Sequence, residues 1–168
     1  MVMTKPELIG SLQNEVRILQ HLITKIDRDK LDYRPTPKQR STLELLQYLT
    51  IMGPELIKAT KAGTFNPETW TTAEKTAYSR DFDQTVAALA AHKDGYAKLL
   101  GEWSDADFRG EIEMFGSKST RGAFITNMVL GGCSAYRTQL FLYLKSSGRE
   151  ELNTYNLWAG MDPPAPAA

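Results

Sequence analysis

Apolar residues recur at helical spacing in four long stretches of this chain. Leu8, Leu12, Val16, Leu19, Ile23 and Ile26 follow one another at intervals of four, four, three, four and three, the period of one helical face. Thr4 precedes this stripe and Glu7 lies three residues on. That pair forms a capping box, in which hydroxyl and carboxylate each take a free backbone amide, worth about 1 kcal/mol. The pattern stops in DRDKLDYRPTPKQR, where Pro35 and Pro37 disfavour helical geometry in the residues before them. Ser41 and Glu44 repeat the capping box. Leu45, Leu46, Leu49, Met52 and Ile57 then predict a second helix to about Lys61, with a kink or interrupted turn at Gly53-Pro54.

The stretch GTFNPETWTTAEKTAYSRDF reads as a connection, longer than is usual between antiparallel neighbours. A third helix is predicted from Asp81 to Leu100, turning Val86, Leu89, Ala90, Tyr96 and Leu99 or Leu100 inward, with Gly101 as its stop. Between Trp103 and Thr120 the apolar residues sit among glycines, serines and charges, which suits a short extended excursion or hairpin. A fourth helix follows from Thr120 to about Lys145, ended by Gly148. Beyond it Leu152, Leu157 and Trp158 are expected to dock. The proline- and alanine-rich end, residues 161–168, is expected to be disordered, leaving residues 1–160 as one domain. The fold class is all-α, a four-helix bundle with a long crossover between helices two and three that departs from simple up-down-up-down order.

Composition narrows the possible partners. A chain of 168 residues, 42% of them hydrophobic, suffices for one sizeable core. Twenty basic residues balance twenty acidic ones, so there is no global field to draw the protein onto nucleic acid or an anionic membrane. The most apolar segment, Asn127 to Leu144, carries Asn127, Arg137 and Gln139, each costly in hydrocarbon, and reads as a core helix. Cys133 is the single cysteine and has no internal disulfide partner. With no basic-then-apolar leader at the N-terminus, a cytoplasmic location is expected.

Three stretches carry a family resemblance: LDYRPTPKQRSTLELLQYL, then AYRTQLFLYLKSSG, then LWAG. Together they resemble the DinB/YfiT-like superfamily of bacterial four-helix bundles, in element order over nearly the whole chain. The resemblance implies a pocket between helices two and four. In the metal-binding members three histidines hold a divalent ion there, one from helix two and two from helix four, the second followed by Arg, a small residue and Gln. Histidines at i and i+4 share a helical face and a third faces them, which leaves a coordination position open. Such members include thiol-dependent transferases and isomerases.

This sequence departs from that pattern at all three ligands. Tyr48 stands at the helix-two position, and Gly132 and Tyr136 stand at the helix-four positions, the latter placed by Arg137, Thr138 and Gln139. Glycine has no ligating side chain, and a neutral phenol replaces imidazole poorly. The resemblance therefore implies the fold and the pocket, without a metal or other cofactor. Leu45, Tyr48 and Met52 share one face of helix two; Met128, Gly132, Tyr136 and Tyr143 share one face of helix four. Both candidate rings are expected to point inward, bonded to each other, to backbone, or to Gln47 or Gln139. The missing side chain at Gly132 is expected to make room for one of them.

Two readings of the tyrosines stay open: large core side chains, or hydroxyl donors to a small organic ligand. Cys133 reads either as a small buried hydrophobe or as a reactive thiol. His21, His92 and Cys133 are the substitute ligands that a metal-dependent transferase or hydrolase would need. Asp105, Asp107, Glu111 and Glu113 lack the spacing of a calcium loop and read as a solvated face. A purely structural homodimeric bundle is the third functional reading.

Overall fold

The computed structural model describes residues 3–164. Helix α1 spans Lys5–Ile23 and α2 spans Thr42–Ala62, joined through a 3₁₀ turn at Arg28–Lys30. Both predicted capping boxes form: Glu7 Oε2 accepts from the Thr4 amide at 2.7 Å, and Glu44 Oε2 accepts from the Ser41 amide at 2.7 Å. Gly63 ends α2 in the left-handed region at φ 77°, where a side chain would be strained.

The connection after α2 holds a helix of its own, α3, Pro67–Tyr78. Asn66 caps it by accepting from the amides of Glu68 and Thr69, and Pro67 supplies a pre-set first turn. Only Ala77 of α3 is buried, and threonine is frequent in it, so it carries neither a strong apolar stripe nor high propensity. The connection is thus helical in conformation.

The predicted third helix is two helices, α4 at Phe82–Ala90 and α5 at His92–Gly101, parted at Ala91. Leu89, Tyr96 and Leu100 are buried as expected, whereas Ala90 faces outward. A short helix α6, Asp105–Arg109, leads into the expected hairpin: β1, Glu111–Met114, pairs antiparallel with β2, Ser117–Thr120. Its two-residue turn places Phe115 at φ 54° and Gly116 at φ 73°, a pair of left-handed residues that matches the twist of a tight hairpin.

The predicted fourth helix is continuous in path but changes pitch. It begins as α7, Arg121–Phe124, widens into a π-helical turn over Ile125–Leu130, and continues as α8, Gly131–Ser146. The Gly131 amide bonds to Thr126 O, five residues back. This wide turn rotates Met128 off the face of Gly132, and Met128 is 41% exposed rather than inward. A second π-turn, Tyr155–Ala159, lies against α1.

The core joins α1, α2, α4–α5 and the last helix, with Leu12, Leu22, Leu45, Leu46, Leu100, Ile125 and Leu140 fully inaccessible. Each such side chain contributes about 1.5–3 kcal/mol by leaving water. Leu152 is buried and Leu157 half-buried, as expected, while Trp158 stays largely exposed. The C-terminal segment is tied back to the residues just after α1 within the stretch expected to be disordered: Asp162 bonds Lys25 Nζ at 2.7 Å and Asn156 Nδ2 at 3.0 Å. Residues 165–168 of that stretch lie outside the described residues. Among the described residues, no helix is long and apolar enough to cross a membrane.

Candidate functional site

Helix α2 brings Tyr48 to the seam with α8, and α8 presents Tyr136 to the same place. The two rings meet edge to face, with centroids 5.1 Å apart and planes at 66°. Each is half-buried. Trp70 of α3 also meets Tyr48, at 6.1 Å, so the helix absent from the sequence expectation supplies a wall of the site. The guanidinium of Arg40, just ahead of α2, lies over the Tyr48 ring at 3.9 Å. Burial pushes the Tyr48 phenol above its ordinary range, and the Tyr136 hydroxyl beside it adds to the shift, against the pull of Arg40. A phenolate ligand is therefore disfavoured here at neutral pH.

Gly132 joins the same seam, yet no ring occupies the space it opens. A Cβ at Gly132 would lie 3.2 Å from Met52 Cε and 3.3 Å from Sδ, so the Met52 thioether covers the glycine. Met52 sits one turn beyond Tyr48 on α2, and its flexible, unbranched chain bends over the glycine where a rigid ring does not. The expectation of a phenol filling the glycine gap is corrected accordingly.

The two glutamines serve other groups. Gln47 Nε2 donates to Arg80 O at 2.6 Å, fastening α2 to the α3–α4 link. Gln139 Nε2 donates to Tyr143 Oη at 2.6 Å, and Tyr143 Oη donates to Arg40 O at 3.1 Å. Tyr143 is thus removed from the Tyr136 pair and instead fixes the backbone of Arg40. Arg40 Nε donates to Tyr78 Oη at 3.2 Å. Arg40, Tyr78 and Trp70 were absent from the sequence candidates. Asn66-Pro67 was the available start signal for the helix that delivers two of them.

The remaining candidates are tied into structure. His92 Nε2 lies 2.9 Å from Thr50 O, so the carbonyl fixes Nε2 as the protonated nitrogen. His21 Nε2 takes Asn156 Nδ2 at 3.1 Å at the opposite flank of α1. Cys133 Sγ faces Tyr96 Oη at 3.9 Å, and burial pushes its thiol up to about 11, which suppresses the thiolate a nucleophile needs. Among the described residues no three of His, Cys, Asp and Glu converge as a metal site. Cys133 neighbours a buried ion pair, Arg137 Nε to Glu15 Oε2 at 2.8 Å, supported by Ser134 Oγ on Glu15 Oε1 at 2.9 Å and by Arg137 Nη1 on Leu157 O.

Around Arg40 the surface opens into a groove of about 350 Å³ whose lining includes Arg34, Lys38, Arg40, Glu44, Gln47 and Tyr78. Arg34 is paired with Glu44 at 3.3 Å. Arg40 makes no ion pair among the described residues, unlike Arg28, Arg34, Arg137 and Arg149.

No family model and no curated protein matches the sequence. The fold is similar to that of a solved structure, the crystal structure of a DinB-like protein, YjoA, from Bacillus subtilis, with TM-score 0.67 and 18% identity, over 88% of this chain and 96% of that one. An agreement of backbone path over nearly both full lengths, together with the element order above, establishes that this chain has the DinB-like four-helix fold.

Proposed function

We propose that this protein is a metal-free small-molecule-binding member of the DinB-like fold, with its site at the α2–α8 seam bordered by Tyr48, Gly132 and Tyr136. The Arg40 guanidinium over the Tyr48 ring at 3.9 Å, which joins this seam to the open groove beside it, carries the reading. Rings and the Met52 thioether meet where the family resemblance would place imidazole donors. The donor set here is two phenols and no imidazole, which fits a divalent transition metal poorly. Aromatic walls with a few convergent polar groups are instead the usual lining of an organic-ligand site.

The test has two arms. Dialysis of the untagged protein against zinc or nickel is expected to leave no bound equivalent; one retained equivalent would sink the metal-free part. A fragment screen read by ring NMR is expected to shift Tyr48 and Tyr136 together, and no shift from any fragment removes the binding part. The proposed equivalence of positions has its own check. The variant Tyr48→His, Gly132→His, Tyr136→His, with Met52→Ala to clear the space, is expected to take up one zinc.

A homodimer is the second reading, supported by apolar side chains left outside the core, Leu142 at 55% and Trp158 at 68% exposure. Sedimentation at micromolar concentration tests it, with a monomer as the adverse result.

A further inference from the structure

The Arg40 guanidinium is half-buried and held from three sides. Its ring contact is Tyr48, its Nε is engaged by Tyr78 Oη, and its backbone carbonyl is pinned by Tyr143. Its Nη1 and Nη2 groups make no hydrogen bond to protein among the described residues, and none of their carboxylates lies within ion-pair distance of it. A cation held rigidly by aromatic groups, with its terminal fork unpaired, is organised for an arriving oxyanion. Two parallel N–H···O bonds then form without the entropy of ordering a free side chain.

The groove adds to this preference. Arg34 and Glu44 cancel each other across 3.3 Å, which leaves Arg40 and Lys38 as its net charge. The chain as a whole has twenty charges of each sign, so this local excess is not part of a general basic surface. A volume of about 350 Å³ lies at the small end of organic-ligand pockets. Tyr78, 38% exposed, offers a ring on the groove wall.

We propose that the groove ahead of α2 takes a small organic anion, with its carboxylate or phosphate head on the Nη1/Nη2 edge of Arg40 and its body against Tyr78. This deepens the binding reading above by naming the ligand class, and it rests on that reading. Positive charge at this end of the site is then supplied by a guanidinium on the chain itself.

Three probes of similar body separate the possibilities by calorimetry and ring NMR: benzoate, phenyl phosphate and neutral phenol. At least one anion is expected to bind with Kd below about 1 mM, with phenol at least about tenfold weaker. The tighter of the two anions identifies the head group. Arg40→Gln is expected to weaken that anion at least about tenfold, and Arg40→Lys, which keeps charge and loses the fork, is expected to fall between. Thermal melts of both variants check folding, and Lys38→Gln, at the exposed rim, is expected to change affinity only about two- to threefold. Equal affinity for phenol and the anions, or full anion affinity in folded Arg40→Gln, overturns the anion assignment. If phenol alone binds and shifts Tyr48 and Tyr136, small-molecule binding stands and the anion class falls. If none of the three binds at about 10 mM, both fall.

Discussion

His92 of α5 donates to the carbonyl oxygen of Thr50 in α2 across 2.9 Å, and that carbonyl is the one Pro54 leaves without a helical partner. An α-helical carbonyl expects the amide four residues on, and proline has none. The imidazole supplies the missing donor from a neighbouring helix. Helix α2 therefore runs uninterrupted through Gly53-Pro54, so of the two sequence expectations there the interrupted turn does not occur.

Burial lowers the His92 pKa below its usual 6.5, outweighing the Thr50 bond, and Arg80 lowers it further; burial and Lys25 likewise lower that of His21 despite Asp162. A histidine whose folded pKa is depressed binds fewer protons than in the unfolded chain. Its stability contribution is full above about pH 6.5 and declines as pH falls towards the folded value. Denaturant unfolding between pH 8 and 5 is expected to show this acid-side loss, reduced in His92→Gln. His92→Phe is expected to cost about 1–3 kcal/mol through the orphaned carbonyl. In a double-mutant cycle Pro54→Ala is expected to recover part of that cost, because alanine restores the amide.

Gly53 is required by an approach of helix α5. A Cβ there would fall well inside van der Waals contact distance of Tyr96 Oη and 3.1 Å from Cζ, and Tyr96 is only 2% exposed. Gly53→Ala is expected to destabilise by about 1–3 kcal/mol despite alanine's higher helix propensity, and Tyr96→Phe is expected to relieve part of it. Thermal melts of the two single variants and the double variant measure this. Gly132 is the contrast, since its neighbour Met52 can yield.

The Glu15–Arg137 pair is buried on both sides, at 11% and 4% side-chain exposure. Arg137→Ala is expected to cost about 3–5 kcal/mol by leaving the carboxylate without its partner. Glu15→Leu with Arg137→Met is expected to cost clearly less than that single change. Urea unfolding decides, and equal losses would mean that shape rather than charge holds the pair.

Burial raises the phenol pKa of Tyr48 and of Tyr96 above the ordinary 10. A raised folded pKa contributes stability that is full below pH 10 and lost as pH rises past it, because the unfolded chain ionises first. The ring-carbon shifts of both residues are expected to remain those of neutral phenol at about pH 10.5, and stability is expected to fall above pH 10. Tyr48→Phe with Tyr96→Phe is expected to flatten that alkaline limb.

The bundle, both predicted capping boxes, the hairpin and the approximate span of the last helix were legible in the sequence. Each of these is local: a period of 3.6, a cap and its partner three residues on, a glycine where the chain must turn left-handed. The sequence also paired Tyr48 with Tyr136. Three matters rested on tertiary structure alone. Helix α3 is nearly all exposed and threonine-rich, so its stability comes from docking on α2 rather than from a stripe of its own. Met52 over Gly132 is a choice between side chains that could each fill one space, made by reach and rotamer. Arg40 became part of the site because Tyr143, Tyr78 and Tyr48, distant in sequence, converge on it, and no spacing rule links residues joined only by packing.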